Sequence, residues 1–162
     1  MLAIAEARYG PRNHARSVRP VDFHNGAPQI LYPSQTEIQV RIECRCETDH
    51  LLGCYELAHE VLHILSPVDG HSATTLEEGL ATSFSHTYIQ EHLGQPYPHS
   101  GSWRHDAARA LVECFLAPRP DAVLRLRQKQ TVISRITSTE ILDLFPEVPP
   151  FVAQHLTSPF NC

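Results

Sequence analysis

Residues 55–82 read YELAHEVLHILSPVDGHSATTLEEGLAT, a stretch that predicts two helices joined by a polar loop. Apolar residues recur at helical spacing over residues 50–65, and Ser66-Pro67 ends the run. A second helix begins near Leu76 and ends at Gly94, because glycine is preferred just after a helix C-terminus. The first helix is apolar nearly all round, which predicts that it crosses the middle of a domain.

The rest of the chain predicts one small sheet and more helices. Residues 29–32 and 37–44 alternate apolar and polar side chains around a Pro33-Ser34-Gln35 turn, which indicates a β-hairpin with one buried face. Residues 1–28 combine arginines with prolines and glycines, so we expect a loosely structured arm there that packs across the body of the domain. Further helices are predicted over residues 103–117, 121–129, 139–144 and 150–156. The sum is an α+β domain.

Composition limits the class of protein. A chain of 162 residues without a linker-like stretch fits one domain, and 42% apolar with 19% charged residues is typical of a globular fold. A net charge of -5 gives no basic field for nucleic acid. The sequence has neither a secretory signal nor a run long enough to cross a membrane, and its five cysteines are an odd number. We therefore expect a cytoplasmic protein with reduced thiols that binds neither nucleic acid nor membrane.

The first helix carries the H-E-x-x-H pattern at His59-Glu60-Val61-Leu62-His63. Two histidines four residues apart project from one helical face, so both can reach one ion. Catalytic zinc takes three protein ligands and keeps a position for water, and Glu60 is placed to accept a proton from that water. Eleven histidines in the chain, an unusually high number, also favour metal chemistry.

The second helix supplies a third ligand from the pair Glu77 and Glu78 in the motif Glu78-Gly79-Leu80-Ala81. H-E-x-x-H followed by E-G-x-A on a second helix resembles the gluzincin metallopeptidases, the group that includes thermolysin. The resemblance covers residues 56–82. It implies that Glu78 binds zinc and that Thr82, one turn later, supports a metal-binding histidine.

The glutamate pair also fits a structural role. Thr74 with Glu77, or Thr75 with Glu78, matches the S/T-x-x-E capping box, so Glu77 is predicted to serve the helix and leave Glu78 free for the metal. Asp69 is a competing third ligand, because residues 63–69 approximate the continuation found in metzincins. Ser66 replaces the glycine of that pattern, and Met1 is the only methionine, so no Met-turn can form.

Two features depart from the gluzincin pattern. Only fourteen residues separate His63 from Glu78, which implies a minimal domain with a reduced cleft. No residue clearly matches the donor that stabilises the oxyanion in these enzymes. The candidates are His86, Tyr88, His99 and His105, and Tyr88 and His105 are favoured.

Cysteines offer a different site. Cys44, Cys46, His50 and Cys54 could hold a second metal, and a nearby thiolate could inhibit the zinc. Side chains alternate between the two faces of a strand, so Cys44 and Cys46 share one face. This favours a structural role for these cysteines, because buried cysteine is common in protein cores.

The residues thus predict a single zincin-like domain over residues 1–162 with one zinc per chain. Its function is hydrolysis of peptide bonds in a peptide or protein substrate, through a zinc-bound water that Glu60 activates before passing the proton to the leaving amine. The alternative is a binding or regulatory module whose zinc is structural, or stays inhibited until a regulatory protein partner releases it. An interaction protein without metal is the third class.

Overall fold

The computed structural model describes residues 1–68, 73–97 and 102–160. These residues form an α+β fold. The helices are α1 Leu2–Tyr9, α2 His50–Ile64, α3 Thr75–Leu93, α4 Trp103–Leu116, α5 Ala122–Lys129, α6 Ser138–Leu144 and α7 Pro150–Thr157, and the strands are β1 Ser17–Val18, β2 Asp22–His24, β3 Gln29–Ser34 and β4 Glu37–Glu43. No helix in these ranges is long and apolar enough to cross a membrane.

The sheet is built around β4. Strand β3 pairs with it in antiparallel register, with Ile30 opposite Val40, which confirms the predicted hairpin. On the other edge of β4, the short strands β1 and β2 follow one another and both run parallel to it. Because β3 and the β1–β2 row lie on opposite sides of β4, β3 is an edge strand of this sheet.

Helix α2 lies between the sheet and the other helices. Ile64 packs with Ile38, Val40 and Ile42 of β4 on one side of it. Its other side belongs to the larger hydrophobic core. The residues that take part there are Ala58, Val61 and Leu62 of the helix and Leu65, which follows its last residue. Burial on two opposite faces explains why this helix is apolar nearly all round.

The predicted ends of α2 and α3 are confirmed by their caps. The side chain of Asp49 accepts a hydrogen bond from the backbone N–H of Leu52 at the start of α2. At the start of α3, the hydroxyl of Thr74 accepts one from the backbone N–H of Glu77. Gly94 closes α3 with φ 68°, a left-handed conformation that suits glycine.

The prediction that residues 1–28 are loosely structured is wrong, although the segment does pack against the body of the domain. This segment contains α1, β1 and β2, and Ala5 of α1 is fully buried in the main core. Arg127 of α5 donates hydrogen bonds to the backbone carbonyls of Tyr9 and Gly10 at 2.7 Å each. The order of α1 therefore comes from contacts with distant parts of the chain, which a local pattern of arginine, proline and glycine does not reveal.

Candidate metal centre

His59 and His63 lie one turn apart on the face of α2 that is turned toward α3. Their ring centroids are 5.2 Å apart, and their side chains are 15% and 17% exposed. This is the arrangement expected of two imidazoles four residues apart on one helix.

Glu78 of α3 brings a carboxylate to both histidines. Its Oε2 is 3.2 Å from Nε2 of His59, and its Oε1 is 3.6 Å from Nε2 of His63. Two ligands bound tetrahedrally to one zinc, each at about 2.0–2.1 Å, are about 3.3 Å apart. The donor types suit zinc, and both distances from Glu78 are close to this separation.

Glu77 contacts the ring nitrogen of His63 that does not face Glu78. Its Oε1 accepts a hydrogen bond of 2.9 Å from Nδ1 of His63. The Thr74 side chain caps α3 as predicted. The Glu77 carboxylate was expected to complete the capping box, but it accepts the hydrogen bond from His63 instead. A hydrogen bond at Nδ1 fixes the ring orientation and leaves Nε2 of His63 facing Glu78.

Thr82 holds Glu78 and not a histidine. Its hydroxyl donates to the backbone carbonyl of Glu78 at 2.8 Å, and the residue is fully buried. The prediction placed Thr82 beside a metal-binding histidine. The observed bond within one turn of α3 instead stabilises the helix segment that carries the carboxylate.

Glu60 is buried beside the histidines, with 6% of its surface exposed. Burial raises the pKa of its carboxyl group, and the nearby His63 and His59 act in the opposite direction. A carboxyl group with a raised pKa holds a proton more readily, which suits a general base that must also return a proton.

Contacts within the cluster also shift the pKa values of Glu78 and His63. Burial alone would raise the pKa of Glu78, but hydrogen bonds from His105 and His59 hold it well below its usual range. Burial alone would lower the pKa of His63, yet the hydrogen bond that its Nδ1 donates to Glu77 and the charge of Glu78 raise it to about 10. The cluster therefore stabilises positive charge between α2 and α3.

Two cavities meet at this cluster. The smaller has a volume of about 340 Å³ and the larger about 730 Å³, and Glu60, His63 and Glu78 line both. His59 and His105 line the larger one. The polar cluster thus borders two cavities that share three of its side chains.

Of the two favoured oxyanion donors, the structure brings only His105 to the site. Its Nε2 is 3.5 Å from Oε2 of Glu78. Tyr88 lies ten residues beyond Glu78, about 15 Å along the helix. Its ring contacts those of Phe84 and His92 and does not line either cavity. This placement gives Tyr88 no contact with the cluster.

Part of the cleft wall was not predicted from the sequence. Tyr97 stacks on Tyr55 with ring centroids 4.1 Å apart, and both line the larger cavity. His86, another candidate donor, packs edge-on against Tyr55 at 5.4 Å and lines a separate cavity. Two prolines flank Tyr97, so no periodic pattern marks it.

The remaining candidates do not add a second centre. Within residues 1–68, 73–97 and 102–160, the one group of His, Cys, Asp and Glu whose ligand atoms all lie within 4.8 Å of one another is His59, Glu78 and His105. His63 is 3.6 Å from Glu78 but is not part of that group. Cys44, Cys46, His50 and Cys54 do not form such a group in this part of the chain, and buried Cys46 donates to Oε2 of Glu56 at 3.2 Å. Asp69 and His99 lie outside the described residues.

No protein-family model, curated protein or solved structure matches the chain. The geometry of the cluster and its cavities therefore carries the functional argument.

Proposed function

We propose that this chain is a zinc-dependent metallopeptidase of the gluzincin type, with His59, His63 and Glu78 as the metal ligands. The observation that carries the proposal is the meeting of both H-E-x-x-H histidines with one carboxylate of α3, at distances of 3.2 and 3.6 Å, beside buried Glu60. Zinc held there would polarise a substrate carbonyl and make a water molecule more acidic.

The protein residues have separate tasks in this proposal. Glu60 accepts a proton from the attacking water and returns it to the leaving amine. Glu77 keeps His63 oriented through the bond at Nδ1. His105, on the wall of the larger cavity, is the donor nearest to the cluster for a developing oxyanion.

An extended peptide is the substrate class that the surroundings favour. Ile30 and Tyr32 of β3 line the smaller cavity, and Ala27 and Pro28, just before this strand, line the larger one. Because β3 is an edge strand of the sheet, a peptide lying along it would pass both cavities and the cluster.

The second candidate function is a latent or structural zinc module. It is favoured by His105, whose Nε2 is 3.5 Å from the proposed ligand oxygen of Glu78, where it crowds the position that water would need. A closed zinc site of four protein ligands is typical of structural zinc.

The test is zinc stoichiometry with turnover. We expect one zinc per wild-type chain and its loss in His63→Ala and Glu78→Ala, measured by elemental analysis. Glu60→Gln should keep its zinc and cleave a peptide library at least about 100-fold more slowly than wild type. His155→Ala, an exposed histidine on α7, is the matched control and should behave as wild type. Wild-type protein that takes up no zinc contradicts the proposal.

A further inference from the structure

Three imidazole nitrogens surround the carboxylate of Glu78, not two. Nε2 of His59 and Nε2 of His105 lie 3.2 and 3.5 Å from Oε2, while Nε2 of His63 lies 3.6 Å from Oε1. All three distances are close to the separation of about 3.3 Å between ligands on one zinc. By distance, His105 is as good a ligand as the two histidines of the H-E-x-x-H motif.

His105 also belongs to the tightest group. Ligand atoms of His59, Glu78 and His105 all lie within 4.8 Å of one another. Its side chain is 22% exposed, and its ring lies 5.8 Å from that of His59. His105 therefore lies against the cluster and also lines the larger cavity.

His105 is held less firmly than His63. His63 has a hydrogen bond from Nδ1 to Glu77, as metal-binding histidines usually have to a second partner. Nδ1 of His105 is buried and has no hydrogen-bond partner in the described part of the chain. Its ring instead contacts the ring of Phe160 at 4.9 Å, an apolar contact that does not fix a nitrogen.

His105 comes from a different helix as well. It is the third residue of α4, whereas His59 and His63 belong to α2 and Glu78 to α3. A small shift of the first turn of α4, or a change of rotamer, would remove His105 and leave the other three in place.

We propose that His105 is a fourth, exchangeable ligand that closes the resting metal centre, which opens when a substrate or small anion takes its place. The inference rests on the proposed zinc site and adds its regulation. In the resting state the four ligands are His59, His63, Glu78 and His105. Once displaced, His105 remains in the same cavity and becomes free to donate a hydrogen bond to the substrate.

The experiment uses Co²⁺ in place of zinc, because its visible absorption reports the ligand geometry. Wild type, His105→Ala and the control His155→Ala are loaded with Co²⁺ and titrated with azide, a small anion that binds an open coordination position. The zinc affinity of each protein is measured by competition with a chromogenic chelator. Circular dichroism verifies folding, and His105→Gln replaces His105→Ala if the alanine variant is unfolded.

We expect azide to change the cobalt spectrum of His105→Ala at a concentration at least about tenfold lower than it needs for wild type. Loss of His105 should also weaken zinc binding by about tenfold or more. Removing a residue that only hydrogen-bonds to a metal ligand already has an effect of that size. His155→Ala should match wild type in both measurements.

Two other results overturn the inference in distinguishable ways. If His105→Ala binds zinc as tightly as wild type and responds to azide at the same concentration, His105 is not a ligand, while the proposed metallopeptidase stands. If the wild-type protein binds neither cobalt nor zinc, the proposed function fails and the inference fails with it.

Discussion

Glu77 accepts a hydrogen bond of 2.9 Å from Nδ1 of His63, so two consecutive glutamates on α3 contact the two ring nitrogens of one histidine. Glu78 faces Nε2 of the same ring. Glu77 is buried, with 6% of its surface exposed, so water does not replace this bond easily. The bond fixes both the tautomer and the orientation of a proposed metal ligand.

Replacing Glu77 should therefore weaken metal binding without removing a ligand. We expect Glu77→Ala to lower zinc affinity by about 10- to 100-fold, because His63 loses the partner that orients it. Glu77→Gln keeps an acceptor oxygen and should fall between alanine and wild type. Chelator competition measures the affinity. The exposed Glu91, on the same helix, supplies the control Glu91→Gln, and an equal effect of both substitutions would contradict a specific role for Glu77.

Gly79 sets the distance between α3 and α4. A Cβ at this position would lie 2.6 Å from Cγ2 of Val112 and would also collide with the backbone carbonyl of Ala108. We expect Gly79→Ala to destabilise the fold by about 1–3 kcal/mol through overpacking. Since His105 is near the start of α4, the same variant should also perturb the cobalt spectrum.

Urea denaturation measures the free energy of unfolding of this variant. Gln90→Ala, at an exposed position on the same helix, is the control and should change it by less than about 0.5 kcal/mol. Unchanged stability in Gly79→Ala would mean that the two helices are not in close contact.

Arg127 is a buried cation that ties α1 to the main body. Its guanidinium donates to five backbone carbonyls, those of Tyr9, Gly10, Pro11, Leu65 and Thr131. Arg127→Met leaves these carbonyls without their donor, so we expect a loss of roughly 3 kcal/mol or more in the free energy of unfolding. The exposed Lys129 supplies the control Lys129→Gln. Equal stability of the two variants, measured by urea denaturation, would refute this role.

Because of the buried thiol of Cys46, we expect the folded protein to lose stability at alkaline pH. Burial and the hydrogen bond to Glu56 raise the pKa of this thiol to about 12, whereas an exposed thiol in the unfolded chain ionises near pH 9. Between these values the unfolded chain releases a proton that the folded chain keeps, so the contribution of Cys46 to stability is complete below pH 9 and declines as pH rises toward 12.

The measurement compares urea denaturation at neutral pH and at about pH 10 in wild type and Cys46→Ala. Wild type should lose more stability than the variant between the two conditions, because the variant lacks the titrating thiol. A drop of the same size in both proteins would show that other groups account for it.

Several features followed from the sequence because they depend on neighbouring residues. The bounds of α2 and α3 follow from apolar periodicity together with Asp49, Thr74 and Gly94, which cap the helices through their own local chemistry. The placement of His59 and His63 on one face is likewise a property of a single helix. The motif on α3 also pointed to Glu78, which the structure brings to both histidines.

The sequence by itself thus determined the α+β class, the two central helices and the positions on α2 and α3 of the proposed metal ligands. Only the tertiary structure decided that His105, and not Tyr88, reaches Glu78, since this depends on how closely α4 approaches α3 at Gly79. It also decided that α1 is ordered, because carbonyls near its C-terminus are satisfied by an arginine more than a hundred residues away. Local patterns fix which way a side chain leaves its helix, whereas its partner is fixed by packing between segments far apart in the chain.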